Sequence, residues 1–116
     1  DIVDKAYAVF ANQDMQLAEE IEPLEEVVDE LSRELKRRHV NRLRAGECTI
    51  EMGFILSDVT TCLERIADHC SNIAVCVTQV REDLYDTHSH LDTVKNAPGE
   101  HFHHELEVAR LNYMLP

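Results

Sequence analysis

Asp58-Val59-Thr60-Thr61-Cys62-Leu63-Glu64-Arg65-Ile66-Ala67-Asp68-His69-Cys70-Ser71-Asn72-Ile73-Ala74-Val75 is the stretch that decides the fold. Its apolar residues return every three or four positions, so it reads as the middle of a long amphipathic helix. The same stretch is dense in polar side chains. Glu64, Asp68 and Asn72 are spaced i, i+4, i+8 and lie close to one line on the helix surface. A helix needs no such line of ligand-type groups in order to fold.

This helix is expected to start near Thr49, an N-cap residue, and to run to about Leu84. Met52, Ile55, Val59, Cys62, Ile66, Ile73, Val77, Val80 and Leu84 mark an expected buried seam. At 1.5 Å per residue the rod would be roughly 52 Å long. Gly53 costs about 1 kcal/mol relative to Ala in a helix interior, which points to a close helix contact there.

Upstream, a helix is expected from about Met15 to Arg44, with Leu17, Ile21, Leu24, Val28, Leu31 and Leu35 on its apolar face. Pro23 should kink or divide it, because proline lacks the backbone donor. Glu30 and Glu34, followed by Arg37 and Arg38, offer solvent-side ion pairs worth a few tenths of a kcal/mol (~0.3 each). Ala45-Gly46 ends this helix with Gly46 just past the last turn. Before it, residues 2–11 form a short helix with Ile2, Ala6, Val9 and Phe10 on its apolar face. Asn12-Gln13-Asp14 is a turn, and Asp14 caps the helix that begins at Met15. Downstream, Asp86-Thr87-His88 would cap a short helix over 88–96, Asn96-Ala97-Pro98-Gly99 is a turn, and Phe102, Leu106, Ala109 and Tyr113 mark a last helix over 100–114.

The sequence has 116 residues, no Trp and 5% aromatic residues, which argues for one all-α domain, a helical bundle of about three long helices plus short C-terminal ones. Its formal charge of −12 disfavours nucleic acid and anionic membrane surfaces, both of which require a cationic patch. Lys36-Arg37-Arg38-His39 with Arg42 and Arg44 is the one basic cluster, and it falls at a helix C-terminus, where cations suit the dipole. Cys48, Cys62, Cys70 and Cys76 form no Cys-x-x-Cys pair, and three of them lie on one helix. Reduced, buried thiols are expected. No targeting segment or membrane-length apolar run is read, and an opening Asp-Ile-Val-Asp without Met suits a fragment of a larger protein.

Leu63-Glu64-Arg65-Ile66-Ala67-Asp68-His69-Cys70-Ser71-Asn72-Ile73-Ala74 resembles the signature of the PhoU family, Glu-Arg-Ile-Gly-Asp-His-Ala-x-Asn-Ile-Ala. Leu24-Glu25-Glu26-Val27-Val28-Asp29-Glu30-Leu31 resembles that family's second motif, Glu-x-x-Ile-Asp. With the run from Leu35 to Cys48, Gly53-Phe54 and Asp86-Thr87-His88, the chain also resembles the cytoplasmic C-terminal portion of sodium/phosphate cotransporters. The resemblance covers roughly residues 14–90. Ala67 stands for the usual Gly and Cys70 for the usual Ala, both small. The resemblance implies an antiparallel helical bundle holding one PhoU-like repeat, and a non-enzymatic role in regulating phosphate transport on the cytoplasmic side of the cell membrane. It implies as partners the transmembrane part of the same transporter or a second repeat, with a homodimer as a further option. A stand-alone phosphate-uptake regulator and a metal-free helical interaction module are the alternatives.

Glu25/Asp29 and Glu64/Asp68 are i, i+4 carboxylate pairs, one per neighbouring helix. Like charges at this spacing repel, so a cation would relieve them, and oxygen ligands suit Mg²⁺, Ca²⁺, Mn²⁺ or iron. The family's Glu-x-x-x-Asp motifs hold metal clusters, and the resemblance carries that role to Glu25, Asp29, Glu64 and Asp68, for Mg, Mn, Zn or Fe, with His69 and Asn72 as neighbours. The other reading is a solvated face, or ion pairs with Arg65 or the Arg37/Arg38 group. Counted from Cys62 and Ile66, Glu64 and Asp68 fall on the side away from the expected seam. Arg65 is expected in a structural ion pair at the core's edge. His101, His103 and His104 read as surface histidines. Glu100-x-x-His103 is only one half of a di-iron motif, which needs a second copy. His39 reads as a helix-dipole partner. Neither Ser57 nor Ser71 has a base and an orienting group near it in sequence, and no catalytic residue is assigned.

Overall fold

Residues 1–83 and 99–116 are described by the computed structural model. Among them every regular element is an α-helix: α1 (Ile2–Asn12), α2 (Met15–Glu19), α3 (Ile21–Arg44), α4 (Ile50–Asp83) and α5 (Glu100–Asn112). The residues expected to form a cap at 86–88, a helix at 88–96 and most of a turn at 96–99 lie outside the described residues.

Local chemistry sets the boundaries. Gln13 closes α1 in the left-handed region at φ 52°, and its N–H donates to the Val9 carbonyl. The Asp14 carboxylate accepts from the Leu17 N–H at 3.1 Å and caps α2 as expected. The expected Met15–Arg44 helix is divided at Glu20, and Pro23 is the reason. Its ring would clash with the carbonyl four residues earlier, at Glu19, the last residue of α2. Placed in the first turn of α3, Pro23 loses no hydrogen bond, since donors there have no partner within the helix. At the other end, Glu47 N–H donates to the Arg42 carbonyl at 2.9 Å and Gly46 N–H to that of Leu43 at 3.1 Å. Gly46 at φ 73° makes this closing pattern possible. The Thr49 hydroxyl accepts from the Met52 N–H at 3.3 Å and starts α4.

α3 and α4 pack along each other, α1 lies against the C-terminal half of α4, and α5 lies against α3. One core cluster joins Ala6, Val9, Ala18, Ile21, Cys70 and Ala74. A second joins Leu24, Val27, Leu106 and Ala109. Phe10, expected inside, is exposed instead, as is Tyr7.

The largest correction concerns α4. The seam read from its large apolar residues is not the buried face: Met52, Ile55, Val59, Ile66, Ile73 and Val80 are 39–60% exposed. Cys62 is exposed too, which also corrects the expectation of buried thiols for Cys62 and Cys76. Val77 alone of that seam packs on the core, and Leu84 lies outside the described residues. The buried stripe is Thr60, Ala67, Cys70, Ser71 and Ala74. Small residues let two helix axes approach closely, and interaxial distance follows contact size. The Thr60 hydroxyl donates to the carbonyls of Leu56 at 2.9 Å and Ser57 at 3.0 Å, and Thr78 does the same to Ala74 at 2.9 Å. Both threonine hydroxyls are thus satisfied on their own helix.

Gly53 belongs to the same stripe. A Cβ there would stand 2.5 Å from His39 Nε2, so the expected close contact is real. His39 is correspondingly buried rather than serving as an exposed dipole partner, and its Nδ1 is 3.3 Å from Cys48 Sγ.

A candidate carboxylate site between the two long helices

Three of the four carboxylates singled out in the sequence share one electrostatic neighbourhood. Glu25 and Asp29 rise one turn apart on α3, and Asp68 approaches from α4. The Glu25 carboxyl is pushed up to about 7, first by burial and then by the negative charges of Asp29, Glu22, Glu26 and Asp68. Four carboxylates, three on α3 and one on α4, therefore act on Glu25.

Glu64 is placed differently. It is half-buried toward α3, not on the far side from the packed face, and it accepts a hydrogen bond from Lys36 Nζ at 3.1 Å. Its charge is already compensated. Arg65 is exposed and makes no ion pair among the described residues, which corrects the structural pairing expected of it. Asn72 and His69 are exposed on α4 beside Asp68.

Sequence reading missed Glu22, Ser71 and Lys36. Glu22 Oε2 accepts from the Ser71 hydroxyl at 2.6 Å, a bond that ties α3 to α4. The signal was present in the spacing: Glu22, Glu25, Asp29, Ser32, Lys36 and His39 step by three and four along α3. That is a second stripe beside the apolar one, and it faces α4.

Elsewhere several charges are paired. Glu30 takes two hydrogen bonds from Arg110 of α5, at 2.9 and 2.6 Å, and its carboxyl lies below the usual range because of them. Glu34 is drawn down to about 2 by hydrogen bonds from Arg37 and Arg38. His101 Nε2 lies 3.1 Å from a Glu19 carboxylate oxygen, with both side chains exposed, as surface histidines should be. A groove of about 290 Å³ between α3 and α5 is lined by Glu30, Glu34, Arg38 and Arg110, all committed to one another or to the chain end.

The chemistry of the cluster fits a hard cation. Glu25, Asp29 and Asp68 are oxygen donors held where their mutual repulsion is unrelieved. As they stand, however, no three Asp, Glu, His or Cys groups among the described residues are gathered closely enough to hold a metal ion. Ligation would require these side chains to rotate toward one another.

The chain matches the PhoU domain family over residues 1–77. That range begins earlier and stops earlier than the 14–90 read from motifs, because it takes in α1. A curated relative, the phosphate-specific transport system accessory protein PhoU homolog 1 of Thermotoga maritima, is 29% identical over 72 residues. The aligned part is 62% of this chain and 31% of the relative, so the chain spans about a third of that protein's length. No solved structure matches. Both acidic motifs, all of α3 and α4 as far as residue 77 fall inside the matched residues, and the chain belongs to the PhoU domain family.

Proposed function

We propose that this chain is a regulatory, non-catalytic unit acting in phosphate transport, and that its signal passes through the carboxylates between α3 and α4. The observation that carries this is the family match over residues 1–77, which includes both acidic motifs. A divalent cation bound by Glu25, Asp29 and Asp68 would neutralise the cluster and tighten α3 against α4. Glu64 would join only by giving up Lys36. Mg²⁺, Mn²⁺, Zn²⁺ or iron are the candidate ions.

In this reading the unit works at the cytoplasmic face of a membrane, against the transmembrane part of a sodium/phosphate cotransporter. The motif runs after Leu35 and around Gly53 support that setting. No described helix is long and apolar enough to cross a membrane, so this unit would contribute control and not the path. The relative's name, an accessory protein of a phosphate-specific transport system, favours a second reading, a stand-alone regulator.

The test is phosphate uptake in cells making the intact natural protein. Asp29→Asn combined with Asp68→Asn should change how uptake responds to external phosphate, at equal protein abundance. An unchanged response would overturn the proposal. Recovery of the intact protein in the membrane fraction after carbonate washing supports the cotransporter setting, and recovery in the supernatant supports the accessory one.

A further inference from the structure

Cys48 and His39 meet at the turn between α3 and α4. His39 stands near the end of α3, only 7% exposed, with Nδ1 3.3 Å from Cys48 Sγ. Its other ring nitrogen, Nε2, is buried without a hydrogen-bond partner among the described residues, an arrangement that is rare and costs free energy. Gly53 of α4 shows which nitrogen carries the ring proton. A Cβ on Gly53 would stand 2.5 Å from Nε2, so the glycine hydrogen on that side points at Nε2. A hydrogen on Nε2 would meet it head-on, whereas a bare lone pair receives a weak C–H contact. The ring proton therefore belongs on Nδ1, which donates to Cys48 Sγ. The sulfur's own proton is directed elsewhere, toward the Thr49 carbonyl at 3.8 Å.

An N–H aimed at sulfur steadies the thiolate, the form of cysteine that attacks electrophiles. The sulfur is also within reach of a small molecule: Cys48 is half-buried, and Glu47 and Thr49 on either side are exposed. The other cysteines lack this combination. Cys70 is buried, and burial pushes its thiol up. Cys62 and Cys76 are exposed, but the sulfur hydrogen bonds among the described residues are those of Cys48, to His39 and Thr49. We propose that Cys48 is a redox modification site, oxidised by hydrogen peroxide or a small organic peroxide to the sulfenic acid, with His39 as its positioning residue, and that the oxidised side chain loosens the contact of α3 with α4 at Gly53.

In the step, Sγ forms a bond to one peroxide oxygen while the O–O bond breaks, its electron pair leaving on the far oxygen. The thiol proton ends on that oxygen, so the products with hydrogen peroxide are the sulfenic acid and water. Sulfur is oxidised by two electrons and the peroxide is reduced by two. The new oxygen is a better acceptor than sulfur for the Nδ1 proton. Placing it there separates Sγ from Nδ1, and His39 cannot retreat, because the far edge of its ring rests on Gly53. Cys48 must move outward instead. It adjoins Thr49, whose hydroxyl starts α4 by accepting from the Met52 N–H, so the displacement reaches the first turn of that helix.

The test treats the reduced chain with a small excess of hydrogen peroxide, traps sulfenic acid with dimedone and measures the labelling rate at each cysteine by peptide mass spectrometry. Cys48 should be labelled at least about tenfold faster than Cys62 and Cys76 in the same sample. His39→Leu removes the donor and keeps the bulk, and should bring Cys48 down to the rate of Cys62. His39→Asn places an amide N–H near the position of Nδ1 and should restore much of the rate. The direction of the change separates the donor from mere packing, since a ring that only shielded Cys48 would leave it faster when removed. Hydrogen exchange gives the second readout: oxidation should quicken it over residues 45–53 in the native chain and not in Cys48→Ser. Equal labelling of the three cysteines, a Cys48 rate unchanged or raised in His39→Leu, or exchange unmoved by oxidation would overturn the proposal. Both readouts are independent of cation binding and of phosphate transport.

Discussion

Glu25 is the residue whose behaviour exposes the strain between α3 and α4. Its folded pKa of about 7 lies above the ordinary 4.5, so the folded state binds its proton more tightly than the unfolded state. Stability contributed by this group is present below pH 4.5 and is lost as pH rises to about 7. Glu25→Gln should therefore stabilise the protein at pH 8 and leave it nearly unchanged at pH 5. Allowing for solvent screening, the gain at pH 8 should be on the order of 1 kcal/mol. Urea midpoints at the two pH values check this, and an equal shift at both would contradict it. Gly53 offers a test of packing. Gly53→Ala forces a methyl against His39 Nε2 and should cost about 1–3 kcal/mol despite alanine's better helix propensity. His39→Ala in the same chain should recover part of that loss in thermal melts. The motif carboxylates were legible from sequence because their i, i+4 spacing and family pattern coincide. Lys36 was not, because a lysine on a charged helix gives no sign of which carboxylate across the interface it will meet.

Among the elements, α4 shows where periodicity misleads. It carries two stripes: large apolar residues stepping by three and four on one side, and Gly53, Thr60, Ala67, Ser71 and Ala74, stepping by seven and then by four and three, on the other. Periodicity finds both, and hydrophobicity chooses the first. The fold buries the second, because small side chains let α3 come close, the Thr60 hydroxyl is satisfied within α4 and that of Ser71 by Glu22 of α3. The caps at Asp14, Gly46 and Thr49 were readable because each rests on chemistry within three or four residues of the chain. The break before Pro23 was readable in kind, but its position at Glu20 follows from the carbonyl that the ring would strike. α5 depends on a contact no local pattern encodes, the Arg110–Glu30 pair across 80 positions. Arg110→Ala should loosen α5 while leaving global stability little changed, given partial exposure of both partners. Amide hydrogen exchange should quicken over 100–112 and stay unchanged over α3 and α4. Uniform quickening would show instead that α5 and the long helices unfold as one unit.

For the whole molecule, apolar core clusters hold α1 and α5 in place, polar side chains meet between α3 and α4, and an apolar stripe of α4 lies outside. Glu25 is opposed by the charges of Asp29, Glu22, Glu26 and Asp68, and the cation proposal turns that repulsion into an affinity. Because a cation must displace the Glu25 proton, binding near neutrality should release protons, and binding should weaken as pH falls below about 7. The most direct measurement is isothermal titration of the metal-free chain with Mn²⁺ at pH 6.5, repeated in buffers of different ionisation enthalpy. The account predicts saturable binding that releases a substantial fraction of one proton, with that release lost in Glu25→Gln and binding weakened at least tenfold in Asp68→Asn. No saturable heat with Mn²⁺, or a binding isotherm unmoved by both substitutions, would contradict it.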